Sequence, residues 1–197
     1  MISSMYVVDV GHTAVMIPMA GAIVAWLLTE GKWKLAFCWC TMFVFGLSVV
    51  ALSKIAFLGW GLEFRPIGFK ALSGHAFRAT VVLPVFFFVA LQRKSMRWGL
   101  EGFLFGIAFS MLLGFLLIYF SFHTPSEVIV TCVFGVIIDV LFIRIAKNLP
   151  QARANRWAAP MSIMVFFIIH GLEPSLINHK LVDIALYLSG RDYPYPW

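Results

Sequence analysis

Charge is what this sequence has least of. Only 12% of its 197 residues are Asp, Glu, Lys or Arg, against 61% hydrophobic. A soluble domain of this size carries roughly a quarter charged and half apolar residues, so a water-soluble globular domain is excluded. Cysteine is scarce too: Cys38, Cys40 and Cys132 lie inside apolar runs with no CxxC spacing and no pairing pattern, and are read as small core residues. No HExxH pattern or carboxylate cluster is present to hold a metal. Also missing are an internal repeat, a low-complexity tract, a flexible linker and, in MISSMYVVDV, the basic segment that opens a cleavable signal. The net charge of +6 comes from basic residues scattered between apolar runs, from which no nucleic-acid-binding face can be assembled.

What is abundant is apolar sequence in long blocks. These run about 18 to 24 residues, the length that crosses a hydrocarbon core of roughly 30 Å as helix. Six spans are drawn, at Thr13–Thr29, Leu35–Leu58, Ala76–Gln92, Leu100–Tyr119, Ser126–Ala146 and Ala159–Gly171, the third and sixth being short. The expected fold class is all-α: a polytopic membrane helix bundle of about six transmembrane helices, one domain over residues 1–197. Gly21, Ala22 and Ala25 suit close helix contact. Phe86–Phe88 and Phe166–Phe167 suit lipid-facing or core packing.

The short loops set an orientation. Lys32 and Lys34, then Arg93, Lys94 and Arg97, then Arg144, Lys147, Arg153 and Arg156 share one side, which the positive-inside bias makes cytoplasmic. Both termini, the loop from Gly59 to Gly74 and the loop around His123 then face outward, and the expected address is a bacterial inner (plasma) membrane. Against the bias, Lys54, Arg65, Lys70 and Arg78 gather on the outer side within residues 54–78. That concentration needs a reason other than topology. Residues 176–197 read as an interfacial tail, with Leu181, Ile184, Ala185 and Leu188 on the apolar side of a short helix and YPYPW suited to the headgroup region. No chemistry is expected of the tail.

Two outer stretches, 54–78 and 119–128, hold the residues suited to catalysis. In the first, Ser73 is a favoured N-cap and Gly74 lets a ligand approach the backbone. The unpaired N–H groups opening the next helix, with the helix dipole behind them, make an anion site. His75 would stand beside a bound phosphate, with Arg78 on the same helix face. In the second, Thr124-Pro125-Ser126-Glu127 is a capping-box pattern. The structural reading of Glu127 is a helix cap. The functional one has Glu127 accept a hydrogen bond from one ring nitrogen of His123 and so orient the other as a nucleophile. One carboxylate can serve both roles.

These residues resemble the signature of the type-2 phosphatidic acid phosphatase superfamily of integral membrane lipid phosphatases. That signature places a lysine with six residues between it and Arg-Pro, then Pro-Ser-Gly-His, then Ser-Arg followed at fixed spacing by a histidine and an aspartate. Arg65-Pro66 matches the end of the first part, and Leu72-Ser73-Gly74-His75 matches the second with Leu for Pro. His123-Thr124-Pro125-Ser126-Glu127-Val128 resembles the end of the third, with Glu for Asp. The chain departs from the pattern at two cations: Leu58 stands where the lysine falls, and Leu117 where a phosphate-binding arginine falls. Lys54, one helical turn before Leu58, is expected to snorkel up to the site, and Arg78 or Lys70 to replace the arginine.

The resemblance, which covers Lys54 to Val128, implies a metal-independent lipid phosphatase that works through a phosphohistidine. In it His123 attacks phosphorus, Glu127 orients His123, and His75 protonates the leaving lipid oxygen and then activates water. Arg65, Lys54, Ser73, Gly74 and Arg78 hold the phosphoryl oxygens, so that catalysis is positioning and electrostatic stabilisation. Neither a cofactor nor a metal is implied. The substrate is a lipid phosphate arriving sideways from the bilayer: a polyprenyl diphosphate, a glycerolipid phosphate or a lipid A-type phosphate. Two other activities stay open, a lipid phosphotransferase and a catalytically silent subunit of a membrane complex that binds a lipid headgroup. Homo-oligomerisation stays open as well. A transporter is disfavoured, because the spans show no inverted repeat and no paired broken helices. Outside the site, Asp139 is read as a structural hydrogen bond to a neighbouring helix. His170 and Glu173 are read as helix packing and interface anchoring, and His12 as an interfacial residue.

Overall fold

The structure, a computed structural model, describes residues 13–148, 155–170 and 177–196. The readings placed on His12, Arg153, Gly171, Glu173, Leu176 and Trp197 fall outside the described residues. The regular elements are helices: α1 (Thr13–Thr29), α2 (Trp33–Trp60), α3 (Gly74–Leu91), α4 (Met96–Tyr119), α5 (Pro125–Asn148), α6 (Ala158–His170) and α7 (Ile177–Ser189). A 3-10 turn at Arg65–Ile67 and an isolated bridge between Phe64 and Phe69 shape the connection from α2 to α3. Helices α2 to α5 are long and apolar enough to cross a membrane. At 1.5 Å per residue the 18 residues of α3 reach about 27 Å and the 28 of α2 about 42 Å. Helices α1 and α6 are also apolar, with 17 and 13 described residues, shorter than the four. Among the described residues the chain is thus an all-helical, membrane-type bundle, with four helices of crossing length against the six spans drawn from sequence.

Local signals explain where the helices start and stop. Ser73 opens α3 and Ser95 opens α4, each accepting a backbone N–H three residues on, from Ala76 and Trp98, at 3.3 Å. Gly61, at φ 67°, closes α2 in the left-handed conformation that favours glycine. Helix α3 runs through the middle of the bundle, against α4, α5, α1 and α2. Its contact with α4 is close because Gly99, Gly102 and Gly106 face it. A Cβ on Gly102 would lie 2.6 Å from the Phe87 carbonyl oxygen, and one on Gly106 would collide with the Pro84 backbone. Gly21 of α1 meets Ile169 of α6 in the same way. Trp39, Phe43, Phe77 and Phe142 fill the centre, with neighbouring ring centroids 5.5 to 6.3 Å apart.

The two ends of the bundle are tied differently. At one end Glu30 gathers three groups: Lys32 Nζ at 2.9 Å, Arg93 Nε at 3.6 Å and Trp26 Nε1 at 3.0 Å. Arg93 Nη2 donates to the Asn155 carbonyl at 3.1 Å, and Asn155 Nδ2 to the Thr29 carbonyl at 2.7 Å. This clasp joins the α1–α2, α3–α4 and α5–α6 connections, the three that carry the basic loop residues. At the opposite end Thr124 Oγ1 donates to the Gly68 carbonyl at 3.2 Å, joining the α2–α3 and α4–α5 connections. There too His170 Nδ1 lies 2.7 Å from the Ala14 carbonyl oxygen, joining α6 to α1. Helices α1 to α6 therefore alternate in direction, and the histidine loops meet at the end away from the clasp.

Helix α7 lies on the last turns of α2. Leu181, Val182 and Ala185 pack on Ile55, Phe57, Leu58 and Ala71, and Tyr195 N donates to the Leu58 carbonyl at 3.0 Å. Of the apolar side expected to face lipid, Leu181 and Ala185 turn onto the protein, whereas Ile184 and Leu188 stay exposed.

Candidate active site at the histidine end

The site begins with how α3 is anchored. Ser73 is fully buried, and its backbone N–H donates to Thr131 Oγ1 at 2.9 Å. Thr131 Oγ1 in turn donates to the Glu127 carbonyl. The first turn of α3 is thereby pinned to the first turn of α5, which fixes Gly74 and His75 relative to Glu127.

Glu127 makes both of the contacts expected of it, to the helix start and to His123. Thr124 N donates to Glu127 Oε2 at 3.2 Å and Glu127 N to Thr124 Oγ1 at 3.3 Å, the reciprocal pair of a capping box. The same Oε2 accepts from His123 Nδ1 at 2.9 Å, and Oε1 accepts from Lys70 N at 3.4 Å. Glu127 is 2% exposed, so protein donors and not bulk water satisfy its carboxylate. A His123 that donates from Nδ1 carries its lone pair on Nε2. His75 faces it, the two ring centroids 6.3 Å apart at an interplanar angle of 53°. The two rings thus border one space at the start of α3 and α5.

Two cations converge on the bare backbone of Gly74. A Cβ there would meet Arg78 Nη1 at 3.2 Å and Lys54 Nζ at 3.7 Å. Lys54, one turn deeper than Leu58, thus reaches the opening of α3. Arg78 Nε is buried without a hydrogen-bond partner among the described residues. Beside these groups lies a cavity of about 280 Å³, bounded by Lys54, Gly74 and Arg78 and otherwise by side chains of α1, α2 and α7.

Arg65 is not brought to the histidines. Its side chain is 87% exposed, and Nε contacts Glu63 Oε1 at 2.7 Å. The Lys70 ammonium lies 5.4 Å from the centroid of the Phe57 ring, so Lys70 serves Glu127 through its backbone N–H and not through its charge. Sequence reasoning missed three partners: Thr131, that Lys70 N–H, and Ser53, whose Oγ accepts from Leu72 N at 3.1 Å. Thr131 had a signal, being a polar residue four positions after Glu127 on the same face of an apolar helix. Away from the site, Asp139 is wholly buried in α5, and neither carboxylate oxygen has a partner among the described residues. The interhelical hydrogen bond expected of it is not formed. All three cysteines are free; Cys132 is buried, and Cys38 and Cys40 are partly so.

Fold and site together define a class: an all-helical, membrane-type bundle with a carboxylate-held histidine facing a second histidine at the start of its central helix. At the level of whole proteins, the chain is similar to an uncharacterized 22.5 kDa protein in the cps region of Klebsiella pneumoniae. The two are 25% identical over 190 residues, 94% of this chain and 91% of the relative. No protein-family model matches the chain, and no solved structure does.

Proposed function

We propose that the protein is a metal-independent membrane lipid phosphatase, a divergent member of the type-2 phosphatidic acid phosphatase superfamily. It cleaves a phosphate or diphosphate monoester of a lipid through a phosphohistidine. The observation that carries this reading is the 2.9 Å contact between His123 Nδ1 and Glu127 Oε2, with the His75 ring centroid 6.3 Å from that of His123. In the first step the Nε2 lone pair of His123 forms a bond to phosphorus as the bond to the lipid oxygen breaks, and protonated His75 gives that oxygen its proton. In the second, water attacks phosphorus, its proton passes to His75, and the P–N electron pair returns to His123. Nδ1 of His123 keeps its proton throughout and donates it to Glu127, whose carboxylate stabilises the positive charge on the phosphorylated ring. Lys54, Arg78 and the N–H groups opening α3 hold the phosphoryl oxygens. Arg65 joins them only by leaving Glu63.

In this reading α1 and α6 also cross the bilayer, completing six spans. The clasp end with its basic loops is cytoplasmic, and the N-terminus and histidine end face outward from a bacterial inner membrane. A second reading, a silent subunit that binds a lipid headgroup, is favoured by the engagement of Arg65 with Glu63, which leaves the cation site with Lys54 and Arg78.

The test is phosphate release by detergent-purified protein from polyprenyl, glycerolipid and lipid A-type phosphates in the presence of EDTA. His123→Ala runs beside the parent. Release by the parent and none by the variant is the expected result. Equal release from both would remove His123 from the chemistry. No release by either, with acceptor lipids also supplied, would leave the silent subunit.

A further inference from the structure

The cavity beside the cations has a wall that the proposed chemistry does not use. Lys54, Gly74, Arg78 and Ser48 form its polar part, and Ile17 of α1, Val44 of α2 and Leu181 of α7 are among the apolar side chains completing it. Val44 is 59% exposed on the outside of the bundle, so the space reaches from the cations to a surface that lipid would cover. Ten residues separate Val44 from Lys54, about 15 Å along α2. A ligand that matches these walls has an anionic head and an apolar chain. By contrast, the larger cavity between α4 and α5, about 430 Å³, includes no cation in its lining.

Leu181 sits on a fixed element. Ala185, one turn on, is fully buried against α2. Gly59 admits that contact, since a Cβ there would lie 3.1 Å from the Ala185 carbonyl oxygen. Beyond α7 the chain is held by the Tyr195 N–H on the Leu58 carbonyl and by Arg191, whose guanidinium lies 4.1 Å from the Tyr195 ring centroid.

We infer that Leu181 is a specificity-determining residue: a lipid phosphate sits with its head on Lys54, Arg78 and the start of α3, and its chain leaves between α1 and α2 along Leu181. This rests on the phosphate-handling reading of the site, though not on hydrolysis. Substrate preference is then set partly by a C-terminal helix that carries no polar catalytic group. A bulkier side chain at this position narrows the passage for the chain and leaves the head site as it is.

The experiment measures maleimide labelling of Leu181→Cys in full-length protein whose three native cysteines are replaced by Ala and whose His123 is Asn, so that the probe is not consumed. Dodecyl phosphate at about ten times its Kd is expected to slow labelling about tenfold, whereas inorganic phosphate and dodecanol leave the rate unchanged. Adding Lys54→Met and Arg78→Met removes the protection. Phe115→Cys, in the α4–α5 cavity, is the control and is not protected. Protection at Phe115→Cys and not at Leu181→Cys, or equal protection by dodecanol, overturns the inference. So does the absence of protection in a protein whose parent releases phosphate, which leaves the phosphatase reading standing. Protection at Leu181→Cys with no phosphate release by the parent upholds the inference and points to the silent subunit.

Discussion

Glu127→Gln separates the two roles of one carboxylate. In the parent, Oε2 takes the His123 Nδ1 and Thr124 N donors at 2.9 and 3.2 Å, and Oε1 takes Lys70 N at 3.4 Å. A glutamine offers a single acceptor oxygen. Turned toward His123 and Thr124, it keeps the capping box, which accepts Gln as well as Glu, but points its amide at the Lys70 N–H, donor against donor. The fold then loses one buried hydrogen bond, costing about 1–2 kcal/mol. For a chain of this length that lowers Tm by about 2–8 °C. The kinetic loss is larger. A full charge about 4 Å from the ring contributes about 4 kcal/mol at an effective dielectric of 20, so kcat falls by about a hundredfold to a thousandfold. KM is little changed, because the phosphate ligands are untouched. Phosphate release and thermal unfolding in the same detergent read out both effects. A variant that kept the parent's kcat while losing the expected stability would reduce Glu127 to a helix cap and refute its role beside His123.

Other substitutions probe the remaining parts. Arg78→Met lowers kcat/KM about tenfold to a hundredfold by removing a charge-assisted phosphate contact, and Arg65→Ala lowers it less; the reverse ranking would show that Arg65 leaves Glu63 to bind substrate. Gly106→Ala forces α3 and α4 apart at Pro84 and costs about 1–3 kcal/mol, seen as a lower Tm; an unchanged Tm would deny the close contact. Glu30→Gln weakens the clasp at the far end by about 1–3 kcal/mol and leaves phosphate release per folded molecule unaltered.

What the sequence makes legible here is what is local. The crossing helices announce themselves through unbroken apolar runs, yet α4 begins at Met96 and not at Leu100. The charged turn that apolar counting omits is helical, carrying an Arg97–Glu101 pair at 3.0 Å. The His123–Glu127 pair and the capping box are readable because their members lie within four residues of one another where the chain enters α5. Arg78 comes to Gly74 by helical spacing within α3, whereas the distance at which Lys54 arrives there depends on how α2 crosses α3, which no spacing reveals. The Glu30 clasp was hidden for a different reason: orientation is read from basic residues, and an acid among them carries almost no weight in that count. The tail was read by its amphipathic pattern as a lipid-facing helix. The same pattern fits a helix lying on protein, and only the contact with α2 distinguishes the two.

The sharpest measurement is to trap the intermediate. His75→Ala, given a lipid phosphate labelled on phosphorus and carrying a good leaving group, needs no acid for the first step but lacks the base for the second. Label should accumulate on protein in an acid-labile, alkali-stable form, map to His123, and vanish when His123→Asn is added. Label on any other residue, or release of phosphate with no labelled protein at any time, would contradict a phosphohistidine held by Glu127.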